Sequence, residues 1–216
     1  MSTAAPEAQS VGEVERRFVL PGVGWKAYRK ISDALTERHV RLSYDCGRFE
    51  FTTISLKHDN ICRLIDRLVV TLAEELERPV RGFGDMTCDR TDFEKGVELD
   101  EPFFIDNEPL IRGKDEFDFA VDPPPDLGIE VDITSSSRIR IGVYGALGAP
   151  EIWRYAKDRV AILVRQDDGT YLESEFSQTF AFVAAADLTR FVEMRQTHDE
   201  TSLIRGFREW VREKSV

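Results

Sequence analysis

Asp126, Glu130 and Asp132 fall in the segment DLGIEVDI, Asp126 to Ile133, at the two-residue spacing of one β-strand face. Leu127, Ile129, Val131 and Ile133 alternate with them and are all apolar, so that side packs on a core. The polar side carries three carboxylates, Gly128, and no positive charge. Like charges at this spacing repel one another, and a solvated strand face would more often interleave Thr, Lys or Arg. A one-sign cluster on a rigid element calls for a counter-charge. A hard divalent cation, which takes oxygen ligands, is the simplest one. A solvated face in an acidic protein is the competing reading, and the metal site is favoured.

Asp100 stands in a second strand-like segment, VELDEPFFI, with Glu98 two residues before it, so alternation puts both acids on one face. An acid from a neighbouring strand is what a shared cation requires. At this level, an exposed acid beside a turn explains Asp100 equally well.

Other chemistry finds less support. GVGWKA, Gly22 to Ala27, matches the dinucleotide pattern GxGxxA, and Asp45 follows where a ribose-binding acid would stand. The second strand, however, turns straight into a hairpin, and bulky Trp25 sits where the chain should approach a pyrophosphate. No Walker sequence and no GxSxG occur. Ser135, Ser136 and Ser137 have no His or Lys placed to activate them and read as a helix cap ahead of Arg138. Trp153 and Tyr155, on either side of Arg154, read as core aromatics. Cys46, Cys62 and Cys88 show no CxxC spacing, and His39, His58 and His198 show no HxxxH or HExxH. A disulfide framework and a zinc hydrolase both lose their footing.

The elements that must position these residues are legible from periodicity. Glu15 to Leu20 reads as a strand and Gly24 to Arg38 as an amphipathic helix. Residues 40–54 read as a hairpin turning at Asp45-Cys46-Gly47. A long helix follows, capped by Asp59 or Asn60 and ended by Pro79, with Ile61, Leu64, Ile65, Leu68, Leu72 and Leu76 as its buried stripe. Residues 80–120 supply short strands, and Asp122-Pro123-Pro124-Pro125 leads stiffly into the acidic strand. A helix is expected over Arg138–Leu147 and strands over Glu151–Tyr155, Arg159–Arg165 and Thr170–Phe176. Two helices close the chain, the last with Leu203, Ile204, Phe207, Trp210 and Val211 on one face. This order fits an α/β or α+β fold with a central mixed sheet flanked by helices.

The chain has 216 residues, 42% of them hydrophobic, and no apolar run near the roughly 20 residues needed to span a bilayer. MSTAAPEAQSVGE lacks a basic start and an apolar stretch, so it is no signal peptide. A disordered leader over 1–12, a single domain over 13–216 and a cytoplasmic setting are the economical expectations. The net charge of −11 argues against a general nucleic-acid binder, though a nuclease remains open because bound cations offset local acidity. Residues 13–48 hold eight Lys/Arg against five acids, and a basic surface is expected there.

The segments PGVGWKAY (21–28), VRLSYDCGRFEF (40–51), VELDEPFFI (97–105), PPDLGIEVDITSSS (124–137) and YGALGAPEIWRY (144–155), in this order, resemble a bacterial restriction-endonuclease family of the PD-(D/E)XK nuclease superfamily. The resemblance implies a restriction-endonuclease-like α/β fold with a Mg²⁺ or Mn²⁺ site on adjacent strands. It also implies phosphodiester hydrolysis in DNA and a homodimer that cuts both strands. Asp100 looks like the first metal-binding acid and Glu130 like the second, with the backbone carbonyl of Val131 as a further ligand. Asp126, Glu50 and His58 fall where the family often carries the same residue types. Two departures stand out. The superfamily lysine would lie at 132, where this chain has Asp132. Relatives that move the lysine to the next helix place it four residues before a tyrosine, and that position, counted from Tyr144, holds Arg140. Arginine can stabilise charge on a phosphate but stays protonated. A catalytically degenerate nuclease fold serving as a binding or regulatory module is therefore the alternative expectation.

Overall fold

Alternating aromatic residues dictate the first unit of structure. The computed structural model describes residues 16–35, 40–90, 94–119, 121–133 and 138–215, and the expected leader and the Ser135–Ser137 cap lie outside them. Strand β1 (Arg17–Pro21) leads into helix α1 (Trp25–Leu35), then strands β2 (Val40–Asp45) and β3 (Arg48–Thr53) form the hairpin. Cys46 and Gly47, both at positive φ (45° and 92°), form a two-residue connection whose twist matches that of the paired strands. Leu42, Tyr44 and Phe49 cluster with Tyr28 of α1 on one side. Arg41, Ser43, Glu50 and Thr52 occupy the other side, and all four are buried.

Helix α2 (Leu56–Glu75) starts earlier than periodicity suggests. Its cap is Ser55, whose Oγ accepts the His58 N–H at 3.2 Å, rather than Asp59 or Asn60. The first turn carries no buried apolar stripe, with Leu56 69% exposed, so the hydrophobic pattern is blind to it. The helix also ends at Glu75, before Pro79, and Glu77 turns the chain with φ 52°. Short strands follow: β4 (Arg81–Gly82), β5 (Met86–Arg90), β6 (Lys95–Leu99) and β7 (Glu101–Phe104). VELDEPFFI is therefore two strands, broken at Asp100. The short helix α3 (Glu108–Ile111) precedes β8 (Leu127–Asp132). Helix α4 (Arg138–Leu147) has the expected bounds and stops at Gly148, whose φ of 91° suits glycine. Strands β9 (Glu151–Ala156), β10 (Arg159–Arg165) and β11 (Tyr171–Ser174) follow, the last shorter than expected. Helix α5 (Ala185–Glu193), a 3-10 turn and helix α6 (Glu200–Lys214) complete the order.

The strands form two sheets, a five-stranded antiparallel one in the order β1-β3-β2-β6-β5 and a six-stranded one in the order β11-β10-β9-β8-β7-β4. The second is mixed, because β8 and β9 run parallel while its other pairs are antiparallel. Leu127, Ile129 and Val131 of β8 enter one core with Trp153 and Tyr155 of β9 and with residues of α2, α5 and α6, such as Leu68, Phe191 and Phe207. Val143 and Tyr144 of α4 pack on Ile152 and Leu163 of the mixed sheet and on Val97 and Leu99 of β6. Helix α4 thus lies against both sheets. Strand β8 is central and buried at all six positions, its apolar side in the core and its acidic side under α4.

Gly128 makes this packing possible. A Cβ there would stand 2.5 Å from Tyr144 Cε1, and Tyr144 is wholly buried with no room to yield. Gly128→Ala is expected to cost about 2–3 kcal/mol as an overpacking substitution. An unchanged urea midpoint would show that Tyr144 relaxes freely.

Candidate active site

The chain passes from one sheet to the other at Asp100, between β6 and β7. This explains why a residue of the first sheet's last turn reaches the central strand of the second. The antiparallel β7–β8 ladder ends at Glu101 opposite Ile129. The next N–H on that edge, from Val131, donates instead to Asp100 Oδ2 at 2.7 Å. His58 Nε2, from the first turn of α2, lies 3.1 Å from the same oxygen. The Arg41 guanidinium from β2 pairs with Asp100 Oδ1 and, at 2.6 Å, with Asp85.

Glu130 and Asp132 project from β8 on the face opposite the α2 core. Arg140, two residues into α4 and wholly buried, turns its guanidinium onto this face. Its Nε contacts Glu130 Oε2, its Nη2 stands 3.3 Å from Asp132 Oδ1, and Asp100 Oδ1 is 4.0 Å from Nε. Asp100 and Glu130 therefore share one guanidinium nitrogen within 4.0 Å. Arg154, opposite Glu130 in the parallel β8–β9 register, donates to Asp132 Oδ2 from Nε at 2.8 Å and from Nη2 at 2.6 Å.

Glu50 is also buried, and Arg17 of β1 holds it at 2.6 Å. Arg17 in turn feels the charges of Arg140 and Asp132, which places this pair beside the same cluster. Asp126 belongs elsewhere. Its carboxylate accepts the N–H groups of Ile105 and Asn107 at 2.7 and 2.9 Å and the Asn107 amide at 2.9 Å. At about 3.3 Å per strand residue it sits some 13 Å along β8 from Glu130. Asp126 clamps the turn after β7. Glu98, expected on the Asp100 face, accepts the Leu42 N–H at 3.1 Å, and burial pushes its carboxyl up to about 7. The two acids serve separate partners because the strand breaks between them.

Arg17, Arg41 and Arg154 escaped the sequence reading. The usable signal was the hairpin itself, whose polar face of Arg41, Ser43, Glu50 and Thr52 reads as solvated but is covered. Arg154 was hidden between Trp153 and Tyr155, both core residues, although strand alternation alone puts it on the Glu130 side.

Glu50, Asp100, Glu130 and Asp132 are thus faced by Arg17, Arg41, Arg140 and Arg154, four carboxylates against four guanidinium groups. Burial raises the Glu130 carboxyl against the pull of Arg140. Burial also lowers the His58 imidazole to about 3, helped by the cations Arg41 and Arg140. A neutral His58 carries one N–H; with it on Nε2 the ring donates to Asp100 and fixes the orientation of that carboxylate, while Nδ1 lies 3.2 Å from Asp59.

The donor set suits a hard divalent cation in one telling respect. Glu130 is wholly buried, yet its Oε1 has no hydrogen-bond partner among the described residues. An orphaned buried carboxylate oxygen is costly, and a cation ligated there would relieve the cost. Among the described residues no three His, Cys, Asp or Glu side chains close into a ready-made cation cage. Asp100 and Glu130 would then supply two ligands, with water or phosphate oxygens completing the shell, as Mg²⁺ commonly accepts. A cleft of about 210 Å³, lined by Arg41, Asp59, Arg63, Asp85, Asp100 and Glu101, leads from the surface to Asp100.

Comparison with known proteins adds to this geometry. A family model, Uma2, described as "Putative restriction endonuclease", matches residues 25–195. A solved structure described as a "putative nuclease belonging to DUF820", from Anabaena variabilis, superposes with a TM-score of 0.54 at 17% identity. The match covers 79% of this chain and 99% of that one. No curated protein matches. The structural likeness establishes a restriction-endonuclease-like fold. Among the described residues no helix is long and apolar enough to cross a membrane.

Proposed function

Because this chain belongs to the Uma2 family, we propose that it is a metal-dependent endonuclease hydrolysing DNA phosphodiester bonds where its two sheets cross. The observation that carries the reading is the convergence of buried Asp100 and Glu130 on one point, with Glu130 Oε1 left without a partner. These two side chains would hold Mg²⁺ or Mn²⁺, with the Val131 carbonyl as a candidate third ligand. Such an ion lowers the pKa of a bound water and offsets charge on the scissile phosphate.

The chain's own residues have distinct tasks. His58 and the Val131 N–H orient Asp100. Asp132 anchors Arg140 and Arg154. Arg140 stays charged at any working pH, so it binds the phosphate and takes no proton from water. Its guanidinium is the group that exchanges Glu130 for the phosphate as substrate arrives. A homodimer acting in the cytoplasm would place one such centre on each strand.

A second reading, a nuclease fold retained for binding, draws on the equal number of carboxylates and guanidinium groups at the centre and on Asp132 at the superfamily's lysine position. The two separate in a plasmid assay. A nuclease converts supercoiled plasmid to open circles with Mg²⁺ or Mn²⁺ and stops in EDTA. A protein that retards the plasmid in gels yet never nicks it, with any divalent ion, is the binding module.

A further inference from the structure

The N-terminal half of α2 separates two clefts. One leads to Asp100. The other, about 320 Å³, lies between α2 and the start of α6 and is lined by Asn60, Arg63, Arg195, His198 and Glu200, among others. Its size suits a small ligand or one unit of a larger one. Arg63 lines both clefts, because on a helix it neighbours Asp59 and Asp66 on one side and Asn60 and Leu64 on the other.

The charge of the second cleft is unusual for this chain, which has 40 acidic residues against 29 basic ones. Glu200, the acid that lines it, is already engaged. Arg67 holds Glu200, and Arg195 lies 3.5 Å from Glu193 while donating to Tyr155 Oη at 3.2 Å. On the side of the first cleft, Asp66 feels the charge of Arg63 without forming a bond to it. Arg63 itself is exposed and makes no hydrogen bond or ion pair among the described residues. A planar, permanently charged donor with free N–H groups, on the ridge between a polar cleft and the acidic centre, matches a phosphate.

We propose that Arg63 clamps a backbone phosphate flanking the scissile one, so that the DNA strand runs from the second cleft over α2 to Asp100. The inference rests on the nuclease reading above and adds the path of the strand. A single phosphate contact sets affinity and salt dependence without touching base sequence.

Binding of a fluorescent DNA duplex to the full chain, followed by anisotropy in EDTA across a salt series, tests this. Arg63→Ala should weaken binding roughly three- to tenfold and reduce the slope of log K against log salt by about one. Arg63→Lys, which keeps the charge, should retain most of the slope, and Arg63→Glu should lose the most affinity. Arg63 is exposed, so these variants leave the fold intact. Equal affinities and slopes in wild type and Arg63→Ala would overturn the clamp. It would also fall if inorganic phosphate bound the cleft in an Arg63-dependent way while DNA affinity was unmoved, since the cleft would then serve free anions. Should wild type nick plasmid while the Arg63 variants bind and cut equally, the clamp fails and the nuclease reading stands. Should wild type neither bind nor nick, both fall.

Discussion

Arg140→Ala is expected to lower the stability of this protein by about 3–5 kcal/mol, the cost of leaving buried charges without their partner. Arg140 is 2% exposed and Glu130 is wholly buried, so water does not replace the lost guanidinium. Asp132 keeps Arg154, but Glu130 keeps nothing, and its other oxygen is already without a partner. The measurement is chemical denaturation in EDTA. Arg140→Lys, which preserves the charge, should lose far less, and a small loss in Arg140→Ala would mean that Glu130 is simply protonated there. A second outcome follows from the same charge balance. Mg²⁺ should raise the denaturation midpoint of Arg140→Ala more than that of wild type, because binding to the folded state stabilises it and the ion no longer competes with a guanidinium.

Asp100→Asn and Glu130→Gln are expected to reduce Mg²⁺-dependent cleavage by roughly a thousandfold or more, since several kcal/mol of charge stabilisation depends on these oxygens. Asp126→Asn, which keeps an acceptor at the turn clamp, should cleave within a few-fold of wild type. The contrast matters because Asp126 and Glu130 belong to the same sequence pattern. If Asp126→Asn proves as damaging as Glu130→Gln while both fold, the site extends along β8 further than the geometry supports. Arg140→Lys bears on the same chemistry. Faster cleavage in this variant would mark lysine as the better group at this position. Equal cleavage, together with loss in Arg140→Ala, would mark arginine as the adapted one.

The acidic strand was legible because burial and chemistry there follow one period. Leu127, Ile129 and Val131 face the α2 core while Glu130 and Asp132 face α4. The bounds of α4 were legible for a similar reason, since Gly148 supplies a stop that any sequence displays. Arg140 stood out through the family resemblance, by its place four residues before Tyr144, and the structure pairs it with Glu130.

What escaped was whatever depended on a second covered face. Arg41, Ser43 and Thr52 look like the wet side of a hairpin, and only the packing of a five-stranded sheet against the centre turns that side inward. The break at Asp100 was hidden as well, because Val97 and Leu99 before it and Pro102 to Phe104 after it are apolar. Nothing local announces that the chain changes sheets there. Ser55 was overlooked as a cap because the helical stripe begins six residues later, at Ile61.

Whether Asp100 and Glu130 together form a cation site is read from a Mn²⁺ titration of the DNA-free protein followed by electron paramagnetic resonance. The predicted result is saturable binding of Mn²⁺ by the wild-type chain, competed by Mg²⁺, strengthened in Arg140→Ala and lost in both Asp100→Asn and Glu130→Gln. Binding of equal strength in all four proteins, or no binding in any of them, would contradict such a site.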